Sequence, residues 1–415
     1  MAPAQVQSGA AALVRLPKAE LHLHLEGCLF PMQLVQLAAR HGEKLRYGEV
    51  AARYNTQSFP AFLELFKWAT SYLREPADYA LLCENSGLHF LGENCLYAEI
   101  TLSAGVMLLR KQNVEANFSA ICDAMLRYTK SRYKQTSNLR VNWIFDAVRQ
   151  FGPEKAMEVA RLAAQMKSAG VVAFGLGGDE ESLPASDFRK VFDYAASEGL
   201  HRVAHAGEMA GPQNIRDAIE ILGAERIGHG IAAIHDEKLM DLLIERQIPL
   251  EICPTSNLRT GALAKLLARN SSRQQNAANF SEGQPVNSQT ANSLRTTPTL
   301  GGRSFSSDIN PPATSGASAP EVRSAQSAAE PRLEEHPLRK LVARGVPVTL
   351  ASDDPAMFRT SLLAEYTLAL AKMGLTVPQL ISLAEASFRH SFLPATEKEA
   401  MLETFRNETK NFNLV

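Results

Sequence analysis

HRVAHAGEMAGPQNIRDAIEILGAERIGH (201–229) carries the pattern that decides the fold. His201–His205 is a short strand-like run, Pro212–Leu222 repeats apolar residues at helical spacing, and Arg226–His229 is a second short run. A strand, a helix and a strand in succession predict parallel pairing through a right-handed crossover. Both runs end on a histidine, His205 and His229.

The same alternation extends in both directions. Upstream lie Ala19–Leu25, Leu96–Leu102, Val141–Asp146 and Val171–Leu176; downstream lie Pro249–Cys253 and Val346–Ser352. Helical patterns fall between most of them: Met32–His41, stretches from Pro60 and from Pro76, Glu115–Lys134, Pro153–Ser168, Ala185–Glu198 and His235–Glu245. Eight such units predict an α/β fold closed as a (β/α)8 TIM barrel with extra helices, the open doubly wound sheet being the rival. Polar residues end nearly every predicted strand, among them His22, His24, Ser103, Asp146, Asp179, Cys253 and Asp353. Barrels of this kind carry their chemistry at the carboxyl ends of the strands.

Composition narrows the function classes. The chain has 415 residues, 45% hydrophobic and 21% charged, with a formal net charge of -1. No basic field invites nucleic acid or an anionic membrane, and no apolar run is long enough to span a bilayer. The five cysteines are scattered and residues 1–9 show no basic-then-apolar leader, which points to a reducing, cytoplasmic setting. Residues 1–15 are expected to be a flexible N-terminus and 16–415 a single domain. Within it, 266–332 is rich in Ser, Ala, Asn, Gln, Thr, Pro and Gly and reads as a disordered insertion.

His22-Leu23-His24 ends the first strand, and residues two apart on a strand share a face. With His205, His229 and the Ser-Asp-Asp-Pro run at 352–355 on other strand ends, three histidines and an aspartate can hold a catalytic divalent metal, zinc first. A two-metal amidase or phosphoesterase is the rival enzyme, but VVAFGLGGDE (171–180) offers no lysine for a bridging ligand. A catalytically dead binding protein is the rival outside enzymes, and it would be expected to have lost ligands.

LPKAELHLHLEG (16–27), HAGE (205–208), RIGHG (226–230), CPTSN (253–257) and SDDP (352–355), in that order, resemble the adenosine deaminase family. The likeness runs from about Leu16 to Phe405, interrupted by the insertion. It implies a barrel hydrolase with one zinc ion per chain, held by His22, His24, His205 and Asp353. It implies Glu208 as proton donor to purine N1, and His229 as the residue that orients the attacking water and helps take its proton. Asp354 and the Gly178 N–H are implied as contacts to the purine edge, with His24 and Glu26 also beside the substrate. Adenosine or deoxyadenosine is the first expectation. Glu26, where well-known adenosine deaminases have Asp, looks like adenine deaminases instead, although Ser103-Ala104-Gly105 differs from the Asp-Pro-Gln those enzymes carry. A 5′-enlarged nucleoside such as aminodeoxyfutalosine is the third substrate expected.

Other residues carry blander expectations. Phe59, Phe62, Phe66 and Trp68 share helical spacing in a region that caps the purine pocket in this family; core packing is expected for most of them. CPTSN is expected to shape its loop without touching substrate. His41, His89, His201, His235, His336 and His390 are expected to be structural or solvent-facing.

Overall fold

The computed structural model describes residues 3–129, 139–269, 332–410 and 412. Eight parallel strands follow chain order around one sheet. They are β1 Lys18–His24, β2 Cys95–Leu102, β3 Arg140–Val148, β4 Val171–Gly177, β5 His201–Ala206, β6 Arg226–His229, β7 Leu250–Ile252 and β8 Val348–Leu350. Each pairs with its chain neighbour. The ring closes just past β8, where the Asp353 N–H donates to the His22 carbonyl and the Asp353 carbonyl accepts from the His24 N–H, both at 2.9 Å. The barrel, not the open sheet, is what forms.

Period-two patterning sets the direction of each side chain. Along β1, Lys18, Glu20, His22 and His24 alternate with Ala19, Leu21 and Leu23, and all seven are buried. The polar set faces partners across the barrel: Ser352 Oγ donates to Glu20 at 2.8 Å and His22 Nδ1 meets Glu251 at 2.7 Å. The apolar set packs outward under the helices, as strands covered on both faces require. Deeper in the barrel, Arg226 reaches Glu99 and Glu251, each at 2.6 Å, with all three side chains buried. A buried cation held between two carboxylates ties β6 to β2 and β7.

Two expectations change. Residues 1–15 contain a helix, Pro3–Arg15. Leu13 and Leu16 are buried, and a Cβ added at Gly9 would come within 2.8 Å of Leu370. The apolar run that contributes Leu13 gives this segment a face to bury, which an expectation of flexibility overlooked. The insertion also begins later than expected. Residues 262–269 are helical, Leu266 is buried, and Arg269 donates to the Met209 carbonyl at 3.2 Å. The remainder of the expected insertion, 270–331, lies outside the described residues, as do the last residues of the helix expected over Glu115–Lys134. Among the described residues no helix is long and apolar enough to cross a membrane.

Candidate active site

Four side chains from three points on the barrel converge at its mouth. The strand ends β1 and β5 supply His22, His24 and His205, and the turn after β8 supplies Asp353; their ligand atoms all lie within 4.8 Å of one another. His22 Nε2 and His24 Nε2 stand 3.6 and 3.5 Å from Asp353 Oδ1, and the Nε2 atoms of His24 and His205 stand 3.3 Å apart. Asp353 has φ 62° and His229 φ 61°, in the left-handed region that non-glycine residues seldom adopt. Such strained backbone gathers at functional sites.

The electrostatics of this cluster call for a positive charge. Burial pushes the His22 imidazole down, but the carboxylates of Asp353 and Glu251 beside it outweigh that and raise it well above the usual range. Burial pushes Asp353 up, yet His22 and the other nearby imidazoles hold it well below the usual carboxylate range. Burial, reinforced by the charge on His22, takes His205 well below its usual range; burial takes His24 to about 4. The neutral rings of His24 and His205, and His22 once an ion displaces its proton, face one carboxylate and form a donor set that fits a divalent cation, zinc among them. The buried His22 Nε2 has no hydrogen-bond partner, which suits a metal-ligand atom. His22 is oriented from behind: Glu251 takes its Nδ1 and is itself held by Arg226. His229, Cys253 and Asp353 also gather within 4.8 Å, while burial raises the Cys253 thiol well above its usual range.

Beside this cluster opens a cavity enclosing about 730 Å³ with its mouth. His24, Gly178, Glu208, His229, Asp353 and Asp354 all line it. Glu208 is buried, and burial together with the charges of Asp353 and Glu180 raises its carboxyl well above the usual range. Thr260 Oγ donates to Glu208 at 3.2 Å, and His229 Nε2 lies 3.7 Å from it. Asp354 is also raised, by burial and then by Asp353, and its buried Oδ1 lacks a partner. Gly178 has φ 92°, and a Cβ there would meet Gln150 at 2.2 Å. The chain can pass close to a ligand at that point only without a side chain.

Glu26 departs from its expected place. It does not line the cavity. The short turn Glu26–Cys28 directs its carboxylate onto the Ser103 N–H at 3.0 Å, and burial raises it to about 7.

Several residues of the site were not singled out from the sequence. Glu180 accepts from the N–H groups of Gly207, Glu208 and Met209 at 2.6, 2.8 and 2.9 Å, clamping the turn that presents Glu208. Asp146 lines the cavity and burial raises it to about 8. Asn257 meets His229 at 3.1 Å and His336 at 3.2 Å. His336 is buried in this network, the structural one of its two expected roles. A carboxylate inside an apolar strand, such as Glu251 in PLEIC, was a legible signal. Thr260 left none, and Asn257 was marked only as the end of CPTSN.

The outer half of the cavity is different in kind. Phe59, Phe62, Leu63, Phe66 and Lys67 line it from one helix, Phe59–Thr70, with Val106 and Val148 facing them. Spacing of three and four residues puts these side chains on one face. Ser58 caps the helix by accepting from the Ala61 N–H at 3.4 Å. Trp68 is turned away, under the Arg53 guanidinium. The aromatics at 59, 62 and 66 are therefore pocket walls.

The family model described as Adenosine deaminase matches residues 17–270 and 322–408, leaving 271–321 between its two segments. An aminodeoxyfutalosine deaminase of Streptomyces coelicolor is 33% identical over 393 residues, covering 94% of this chain and 83% of its own. An adenine deaminase of Rhizobium leguminosarum is 26% identical over 389 residues, covering 94% of this chain and 98% of its own. Among solved structures, an adenine deaminase from Arthrobacter aurescens superposes with a TM-score of 0.74 at 24% identity, covering 95% and 99% of the two chains.

Proposed function

The chain belongs to the adenosine deaminase family, and from that premise we propose that it hydrolyses the six-amino group of an adenosine enlarged at its 5′ position, aminodeoxyfutalosine first. Hydrolytic removal of ammonia from an adenine-type base is the activity shared by its relatives. The choice within that class rests on one observation: the outer cavity is apolar and aromatic, with Lys67 as its cation. A ribose ending in a bare hydroxyl would want a polar acceptor there, and Glu26, the expected one, is not among the cavity-lining residues, with one oxygen on the Ser103 N–H and the other buried without a partner. Free adenine would leave the aromatic wall without a partner. An extended 5′ group with apolar surface and an anionic end suits both the wall and the lysine.

A divalent ion, zinc first and one per chain, held by His22, His24, His205 and Asp353, would supply water activated for attack near neutral pH. Attack at C6 breaks the ring's aromaticity and moves electron density onto N1. Glu208, kept protonated by burial, gives its proton there, and Thr260 holds the carboxyl in place. Asp354 and the Gly178 backbone fix the purine edge, and His229 orients the nucleophile. Collapse of the tetrahedral centre expels the amino group as ammonia and leaves a C6 carbonyl. Five free cysteines suit a reducing compartment, the cytoplasm.

The test is ammonia release from aminodeoxyfutalosine, adenosine, deoxyadenosine, adenine and N6-methyl-AMP under one condition. The highest kcat/KM is expected with aminodeoxyfutalosine. A higher value with adenosine or adenine overturns the 5′ assignment and leaves the deaminase class standing.

A further inference from the structure

We propose that Asn257 and His336 are positioning residues that fix the proton of His229 on Nε2, making this ring a hydrogen-bond donor to the site and not a base. The argument runs inward from a backbone group. The Leu338 N–H donates to His336 Nδ1 at 3.1 Å. A backbone N–H can only donate, so His336 Nδ1 is bare and the hydrogen of this neutral ring sits on Nε2. Burial, which takes His336 down to about 3, keeps the ring neutral. Its Nε2–H then donates to Asn257 Oδ1 at 3.2 Å, which turns the amide NH2 toward His229 Nδ1 at 3.1 Å. His229 Nδ1 must accept, and its hydrogen is left on Nε2.

The far end of the relay agrees independently. His229 Nε2 faces Asp353 Oδ2, an acceptor, at 3.8 Å, with Glu208 Oε2 3.7 Å away. His229, Asn257 and His336 are all buried, leaving little room for bulk water to reverse the order. A ring whose Nε2 already carries hydrogen cannot take another there while Nδ1 is engaged by Asn257. As the water oxygen bonds to C6, its released proton passes to Glu208, whose own proton has gone to N1, and the remaining hydroxyl proton goes to the departing amino group as the carbonyl forms. This role differs from that implied for His229 by the family resemblance.

The decisive measurement is the nitrogen spectrum of the zinc-loaded protein labelled with 15N-histidine, His229 being identified by the signals lost in His229→Gln. It is expected to show the Nε2-protonated tautomer. Asn257→Asp presents a carboxylate that can only accept, so it should move the hydrogen to Nδ1. With the tautomer reversed, kcat should fall by about 100-fold or more while KM stays within about threefold. His336→Gln, which keeps an amide donor toward Asn257, should retain far more activity than His336→Leu. An Nδ1-protonated His229 in the wild type, or Asn257→Asp with unchanged kcat, overturns the proposal. Should Asn257→Asp fail to fold, the wild-type spectrum alone decides. Only the kinetic arm rests on the deaminase reading, since the spectrum needs no substrate; absence of turnover on every purine would count against that reading and leave the relay intact.

Discussion

The floor and the rim of the cavity are built on opposite plans. On the floor, His22, His24, His205, Glu208, His229, Asp353 and Asp354 come from four different strand ends or the turns beyond them, and buried partners such as Glu251, Glu180, Thr260 and Asn257 hold several of them. On the rim, one helix supplies most of the wall through apolar side chains, with Lys67 paired to Glu64 at 2.8 Å on its exposed flank. Groups that perform chemistry need fixed protonation and sub-ångström placement, which only crossed hydrogen bonds in a dry site provide. A wall that selects a substituent needs shape and area, which a helix face provides alone. The floor is therefore assigned to reaction and the rim to substrate choice.

Substitutions should separate these two parts. Glu208→Gln should lower kcat by about 10³-fold, within the range of a lost general acid, while metal content by elemental analysis stays at the wild-type level. Near-normal turnover would remove Glu208 from the floor's chemistry. One shell further back, Glu251→Gln frees His22 Nδ1 and should weaken metal affinity by about 10–100-fold, read by competition with a chelator.

On the rim, Phe62→Ala should lower kcat/KM for the 5′-enlarged nucleoside about tenfold more than for adenosine, a change in ratio that a floor substitution should not produce. Equal losses on both substrates would erase the distinction. The pH profile sharpens it from the other side. Glu208 is raised above its ordinary value, so its acid form is present below the folded pKa and lost as pH rises through it. The alkaline limb of kcat should follow that loss for every substrate, and rim variants should leave its position unchanged. The smallest effect is expected from deleting 271–321, the stretch between the two family-matched segments. A change of less than about twofold in kcat is expected for a tolerated loop insertion; a collapse of activity would make that segment part of the site.

Much of the floor was legible because its chemistry lies in short motifs at strand ends. HLH, HAGE, GHG and SDDP each place a functional side chain by local geometry, and a barrel with eight strands in chain order brings such ends to one mouth. The relay from Leu338 was not legible, because Asn257 and His336 are separated in the chain by the whole of the expected insertion and meet only through the fold. Glu26 shows the converse. Its place in the motif suggested a substrate contact, but a three-residue turn swung the carboxylate onto Ser103.

Residue order alone determined the alternation of strand and helix and the barrel, and it supplied the donor set proposed for a metal and the acid proposed at position 208. Those follow from periodicity and from which side chains can donate, accept or ligate. Tertiary structure alone decided which groups are oriented from behind, that His229 meets Asn257, and that Phe59, Phe62 and Phe66 line the cavity while packing on the core. The physical reason is distance in the chain: hydrogen-bond partners and cavity walls here join residues tens to hundreds of positions apart, and such meetings leave no local pattern to read.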